Sequence, residues 1–168
     1  MTRITLDQLK ELRARTGSGV LQCRQALEAT DGDMGRAEEQ LREQARAEAE
    51  RRAVRETGEG LVGSYVHHTG KLGALVEVTC ETDFVARTTE FKDLVTRLAE
   101  QVAAAAPQVI DEGSTPEGND PAESALLAQP WIREPGKTVG QLLEETAGLL
   151  GERLTIRRFS RFHLAEAP

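Results

Sequence analysis

At 168 residues, with a formal net charge of −7 and a pI near 5.1, the chain is an acidic protein of one or two small domains. That charge excludes a generic nucleic-acid binder held by a basic surface. Aromatic residues make up only 4%, so the core must be built mainly of Leu, Val and Ala, and each of Tyr65, Phe84, Phe91, Trp131, Phe159 and Phe162 has to be accounted for. Cys23 and Cys80 lie far apart, which excludes a disulfide framework and a cysteine-type zinc site. With neither a leader pattern nor a long apolar span, the sequence reads as a soluble cytoplasmic protein with reduced thiols.

The charge is uneven. Residues 1–56 carry 11 basic and 11 acidic side chains, whereas 57–168 carry 10 and 17. Residues 4–44 predict three short helices. Thr5 and Gln8 form a capping box for the first, with Leu6, Leu9 and Leu12 on one face. "TGSG" (Thr16 to Gly19) ends it. The second helix is expected to turn Val20, Cys23, Ala26 and Leu27 inward, and Asp33 is placed to cap a third that buries Met34, Ala37 and Leu41. The segment "ARAEAERRAVRE" (45–56) has no stripe wide enough to bury and predicts a solvated helical linker.

Two strand patterns follow, 61–67 and 71–80, joined by "HTGK" as a hairpin turn. Residues 88–106 carry the clearest helix signal: Phe91, Leu94, Val95, Leu98 and Val102 recur on one face, Thr88 or Thr89 can cap the start, and Pro107 stops it. Residues 107–137 are rich in Pro, Gly and acids and predict a long surface loop, with at most a short helix near Ser124 to Gln129. A helix over 138–150 and a third strand over 154–164 complete the chain. The expected class is α+β: a three-helix module over 1–44, a charged linker over 45–58, and over 59–168 a small antiparallel three-stranded sheet packed with helices.

Several residues invite a chemical reading. His67, His68, Cys80, Glu81 and Asp83 are metal-ligand types, but their spacing matches no site, and adjacent histidines in a strand face opposite ways. No nucleophile motif surrounds Cys80, and no phosphate-binding loop is present. Arg157, Arg158 and Arg161 interleave with Phe159 and Phe162 as in some RNA-binding surfaces, yet in an acidic chain a strand with an apolar core face explains them better. Val20 and Leu21, after a Gly-Ser-Gly break, fit either the core or a partner contact. Asp83 and Phe84 fall at a turn between strand and helix. Asp83 can cap that turn and Phe84 can staple it to the core, or Phe84 can be surplus to the helix face and anchor an interface.

Three stretches resemble the elongation factor Ts family, the guanine-nucleotide exchange factors of elongation factor Tu. "GSYVHHTGKLGALVEVTCETDFVART" contains a segment similar to that family's signature, "ETDFVART" (Glu81 to Thr88). "LKELRARTGSGVLQCRQALEATDGDMGRAEEQLRE" resembles its N-terminal module, of the ubiquitin-associated type, and "KTVGQLLEETAGLLGERLTIRRFSRFHL" its C-terminal end. The pair Val20-Leu21 stands where the family usually has Met-Met, and Gln22 where it usually has an acid.

The resemblance implies an exchange factor without covalent chemistry or cofactor. Thr82, Asp83, Phe84 and Val85 would then disturb the partner's magnesium site, and Val20, Leu21 and Arg24 would grip its nucleotide domain. The single core unit resembles the family's short form, which implies a homodimer, with no direct nucleic-acid or membrane binding. Two rivals are a ubiquitin-associated-like binding module on a scaffold domain, and a metal or thiol enzyme built on His67, Cys80 and Glu81.

Overall fold

The computed structural model describes residues 4–164. The chain divides between Val54 and Arg55 into two compact units. The first holds α1 (Leu6–Thr16), α2 (Val20–Ala29) and α3 (Met34–Ala53). Thr5 and Gln8 form the capping box on α1, with Thr5 Oγ1 accepting from the Gln8 amide at 3.3 Å. Asp33 caps α3 by accepting from the Arg36 amide at 3.1 Å. Gly17, in the left-handed region at φ 68°, ends α1. The core of this unit is Leu12, Cys23, Ala26, Leu27, Ala37 and Leu41, with Ile4, Leu9 and Met34 packed at its margin. Leu6 and Val20, expected inside, are exposed instead. Each sits at the first position of its helix. Residues 45–53 are not separate from the third helix but continue it as an exposed extension.

The second unit is α+β. Strands β1 (Glu59–Val66), β2 (Leu72–Cys80) and β5 (Thr155–His163) form one antiparallel sheet in the order β1-β2-β5. Its inner face carries Ala74, Val76, Val78 and Ile156, buried against α5 (Thr89–Ala105) through Phe91, Leu94, Val95, Leu98 and Val102. Gly63 permits this contact, because a Cβ there would lie 2.5 Å from Val95 Cγ1 and 2.8 Å from its carbonyl oxygen. Thr88 caps α5, accepting from the Phe91 amide at 3.2 Å. α7 (Val139–Leu150) adds Val139, Leu143 and Ala147 to the same core.

The segment 107–137 is not the surface loop that its composition predicts. It contains one 3-10 turn (Glu112–Ser114), α6 (Pro121–Ser124) and a two-stranded ribbon of β3 (Pro130–Trp131) and β4 (Glu134–Thr138). Ala125, Leu126 and Trp131 are buried. Two buried amides fasten this segment to α5. Gln101 donates to Gln129 Oε1 at 3.3 Å and to the Pro130 carbonyl at 3.2 Å, and accepts from the Ile132 amide at 3.0 Å. Gln129 donates to the carbonyls of Ala105 and Glu123.

β5 departs from simple alternation. The register shifts between Glu77 and Val78, which pair with Arg158 and Ile156, so Arg157 is an extra residue. Phe159 faces the core, whereas Phe162 lies on the outer face, 67% exposed. The two aromatics therefore share no surface. Arg157 and Arg158 pair with Glu77, and Arg161 donates to the Ala103 carbonyl at 3.0 Å. The outer face combines Val62, Val66, Leu75 and Phe162 with Ser64 and Ser160.

Candidate partner-binding site

β2 ends at Cys80, and a single helical turn, α4 (Asp83–Ala86), follows before α5. Thr82, not Asp83, is its N-cap: Thr82 Oγ1 accepts from the Val85 amide at 3.4 Å. Val85 and Ala86 turn into the core cluster, Val85 being 9% exposed. Phe84 points the other way and is 81% exposed, which excludes the staple. Asp83 is held by Arg87 at 2.8 Å. Of the four residues expected at this turn, Thr82, Asp83 and Phe84 present polar or aromatic groups outward, while Val85 anchors the turn from below.

The base of the turn is tied to the corner between α7 and β5. Glu152 Oε2 accepts from the amides of Glu81 and Thr82 at 3.0 and 3.1 Å, and its Oε1 accepts from the Thr82 hydroxyl at 2.5 Å. Glu81 Oε1 accepts from the Arg153 amide at 2.6 Å and from the Arg55 guanidinium at 3.2 Å. Nothing in the sequence around Glu81 marks it as a partner of the Arg153 amide, and "GER" after an apolar helix reads as an ordinary loop; Glu152 carries no sequence signal of this role. The Cys80 thiol donates to the Thr82 carbonyl at 3.1 Å. Burial, and then the negative charge of Glu152, push its pKa up, so the thiol is not activated.

In the first unit, Val20 and Leu21 open α2 at 53% and 67% exposure. One turn on, Arg24 pairs with Glu28 at 2.8 Å. All three are exposed, while Cys23 between them is buried.

The rival constellation does not assemble. His67 stands opposite Leu72 at one end of β2, and Cys80 is at the other end, roughly 26 Å away by strand rise. His67 and His68 lie where the chain has left β1, so their rings approach to 4.1 Å rather than facing opposite ways. Among the described residues no group of three metal-ligand side chains comes together. Nor is any helix among them long and apolar enough to cross a membrane.

The family profile "Elongation factor TS" matches residues 81–164, from the base of the turn to the end of β5. The chain is also 41% identical to an elongation factor Ts of Rippkaea orientalis, over 99% of this chain and 80% of that protein. This chain belongs to the elongation factor Ts family. It is 41% identical to the elongation factor Ts of a Thermoanaerobacter species, over 97% of this chain and 96% of the relative. The elongation factor Ts of Coprothermobacter proteolyticus is 38% identical, over 97% and 99%. Membership places the chain among the translation elongation factors of protein biosynthesis.

Proposed function

We propose that this chain releases GDP from elongation factor Tu by inserting the Thr82-Asp83-Phe84 turn beside the partner's magnesium site. The observation that carries the reading is Phe84, a large aromatic exposed on a turn whose two ends are fixed. A rigid aromatic loses little conformational freedom on binding, as an interface anchor requires. Displacing the metal leaves the phosphate charge uncompensated, so GDP affinity falls. Linkage then requires GDP to weaken factor binding by the same ratio, and either nucleotide can displace the factor. The reaction needs no bond made or broken by this chain and no cofactor of its own.

Val20, Leu21 and Arg24 form the second contact in this reading, gripping the partner's nucleotide domain from the three-helix module. The reading also includes a homodimer. The outer sheet face leaves Val62, Val66, Leu75 and Phe162 in water, the kind of apolar surface that a second copy covers. Action on elongation factor Tu implies a cytoplasmic site.

The deciding experiment follows fluorescent GDP leaving elongation factor Tu with the native chain and with Phe84→Ala. Slowed release with an unchanged thermal midpoint supports the wedge. Native release by Phe84→Ala refutes it.

A further inference from the structure

Building on that reading of the turn, we infer that Glu152 is a positioning residue for exchange: its carboxylate fixes the backbone from which Phe84 projects. The amides of Glu81 and Thr82 fall between the ladder of β2 and the first turn of α4, where neither element supplies an acceptor. Glu152 Oε2 takes both. Its Oε1 takes the Thr82 hydroxyl proton, which turns a lone pair of that hydroxyl toward the Val85 amide. The carboxylate thus orients the N-cap of α4 as well as the chain leading into it. Glu81 reciprocates by accepting from the Arg153 amide, so each segment's carboxylate satisfies the other's main chain. Arg55 and Arg153 close the arrangement, with Arg153 donating to the Arg55 carbonyl at 2.6 Å.

A four-residue helical turn has no stability of its own. Val85 and Ala86 hold it to the core from one side, and Glu152 holds its entry from the other. Removing the carboxylate leaves the buried pair in place and loosens the direction of Phe84. The loss falls on exchange rather than on the fold.

The test measures GDP release from elongation factor Tu over a range of concentrations of the full chain, for native, Glu152→Ala, Glu152→Gln, Phe84→Ala and the Ala double variant. Glu152→Ala is expected to lower the maximal release rate about tenfold, with a smaller change in half-saturating concentration, because three charge-assisted bonds are lost. Glu152→Gln keeps one acceptor oxygen and loses the other, and is expected to be about threefold slower than native. The double variant is expected to be no slower than Phe84→Ala, since both changes act through one side chain. Amide exchange at Glu81 and Thr82 is expected to quicken in Glu152→Ala.

Native release by Glu152→Ala, with Phe84→Ala slow, overturns the inference and leaves the wedge standing. Multiplied losses in the double variant, accompanied by a lowered thermal midpoint, also overturn it in favour of a structural role. Native release by Phe84→Ala removes the wedge and the inference together. Should Glu152→Ala fail to fold, Glu152→Gln decides. Folded and slowed, it supports the inference; folded, at native rate and with native protection of the Thr82 amide, it overturns it.

Discussion

Asp83 and Arg87 form a 2.8 Å ion pair across one turn of the chain, so the carboxylate next to Phe84 is already engaged in the free protein. Both side chains are well exposed, and such a pair adds little to stability. In the proposed complex Asp83 must turn from Arg87 to the partner. Arg87→Ala is therefore expected to change folding stability by no more than about 0.5 kcal/mol and to leave GDP release undiminished. Asp83→Ala is expected to slow release. Urea unfolding and stopped-flow release check both, and a slow Arg87→Ala variant with native stability contradicts the assignment of Asp83.

The Gln101 amide is buried and fully bonded, linking α5 to residues 129–132. Gln101→Leu leaves the Ile132 amide and the Pro130 carbonyl without that partner. The expected cost is about 2–4 kcal/mol, read as a lower urea midpoint. A change under about 0.5 kcal/mol would show that the segment is held by its apolar residues alone.

Cys80 gives stability a pH dependence of known sign. Burial and the charge of Glu152 raise its pKa in the folded chain, while the unfolded thiol ionises near ~8.5. Below that pH both states hold the proton and the contribution is intact. Above it the unfolded chain releases a proton that the folded chain keeps, and stability declines. Urea midpoints at neutral and alkaline pH, compared between native and Cys80→Ala, should show a shallower decline in the variant. At pH 8 a disulfide reagent should leave both buried thiols unmodified until the chain is denatured; rapid reaction of either in the folded protein contradicts this.

Leu75 lies on the central strand of the outer sheet face, between Ser64 and Ser160. Leu75→Arg places a charge at the middle of the surface assigned to self-association. Light scattering at micromolar protein is expected to give a dimer mass for the native chain and a monomer mass for the variant. A monomeric native chain would sink the dimer.

Much of this was legible from residue types because it is local. The capping residues Thr5, Asp33 and Thr88, and the apolar spacing of α5, depend on neighbours within two turns. The exposed Phe84 was only half legible. The spacing around Phe91 showed that α5 had a full face without it, but only Val85 in the core settles which way the turn rotates.

The rest was hidden for non-local reasons. Gln101 and Gln129 look like solvent residues until the fold brings them together. One extra residue at Arg157 puts Ile156 and Phe159, three positions apart, on the same core-facing side of the sheet. Glu152 acts across a separation of 71 positions from Glu81, where no periodicity connects them.

That separation has a consequence for synthesis. A nascent chain that has emerged as far as Leu150 contains every residue of the turn, but its Glu81 and Thr82 amides still lack their carboxylate and β2 still lacks its neighbour β5. The turn is translated some seventy residues before the carboxylate that fixes it. A chain truncated at Leu150 carries Phe84 without that carboxylate and without β5, and under the proposed mechanism it is expected to compete poorly with the full chain for elongation factor Tu.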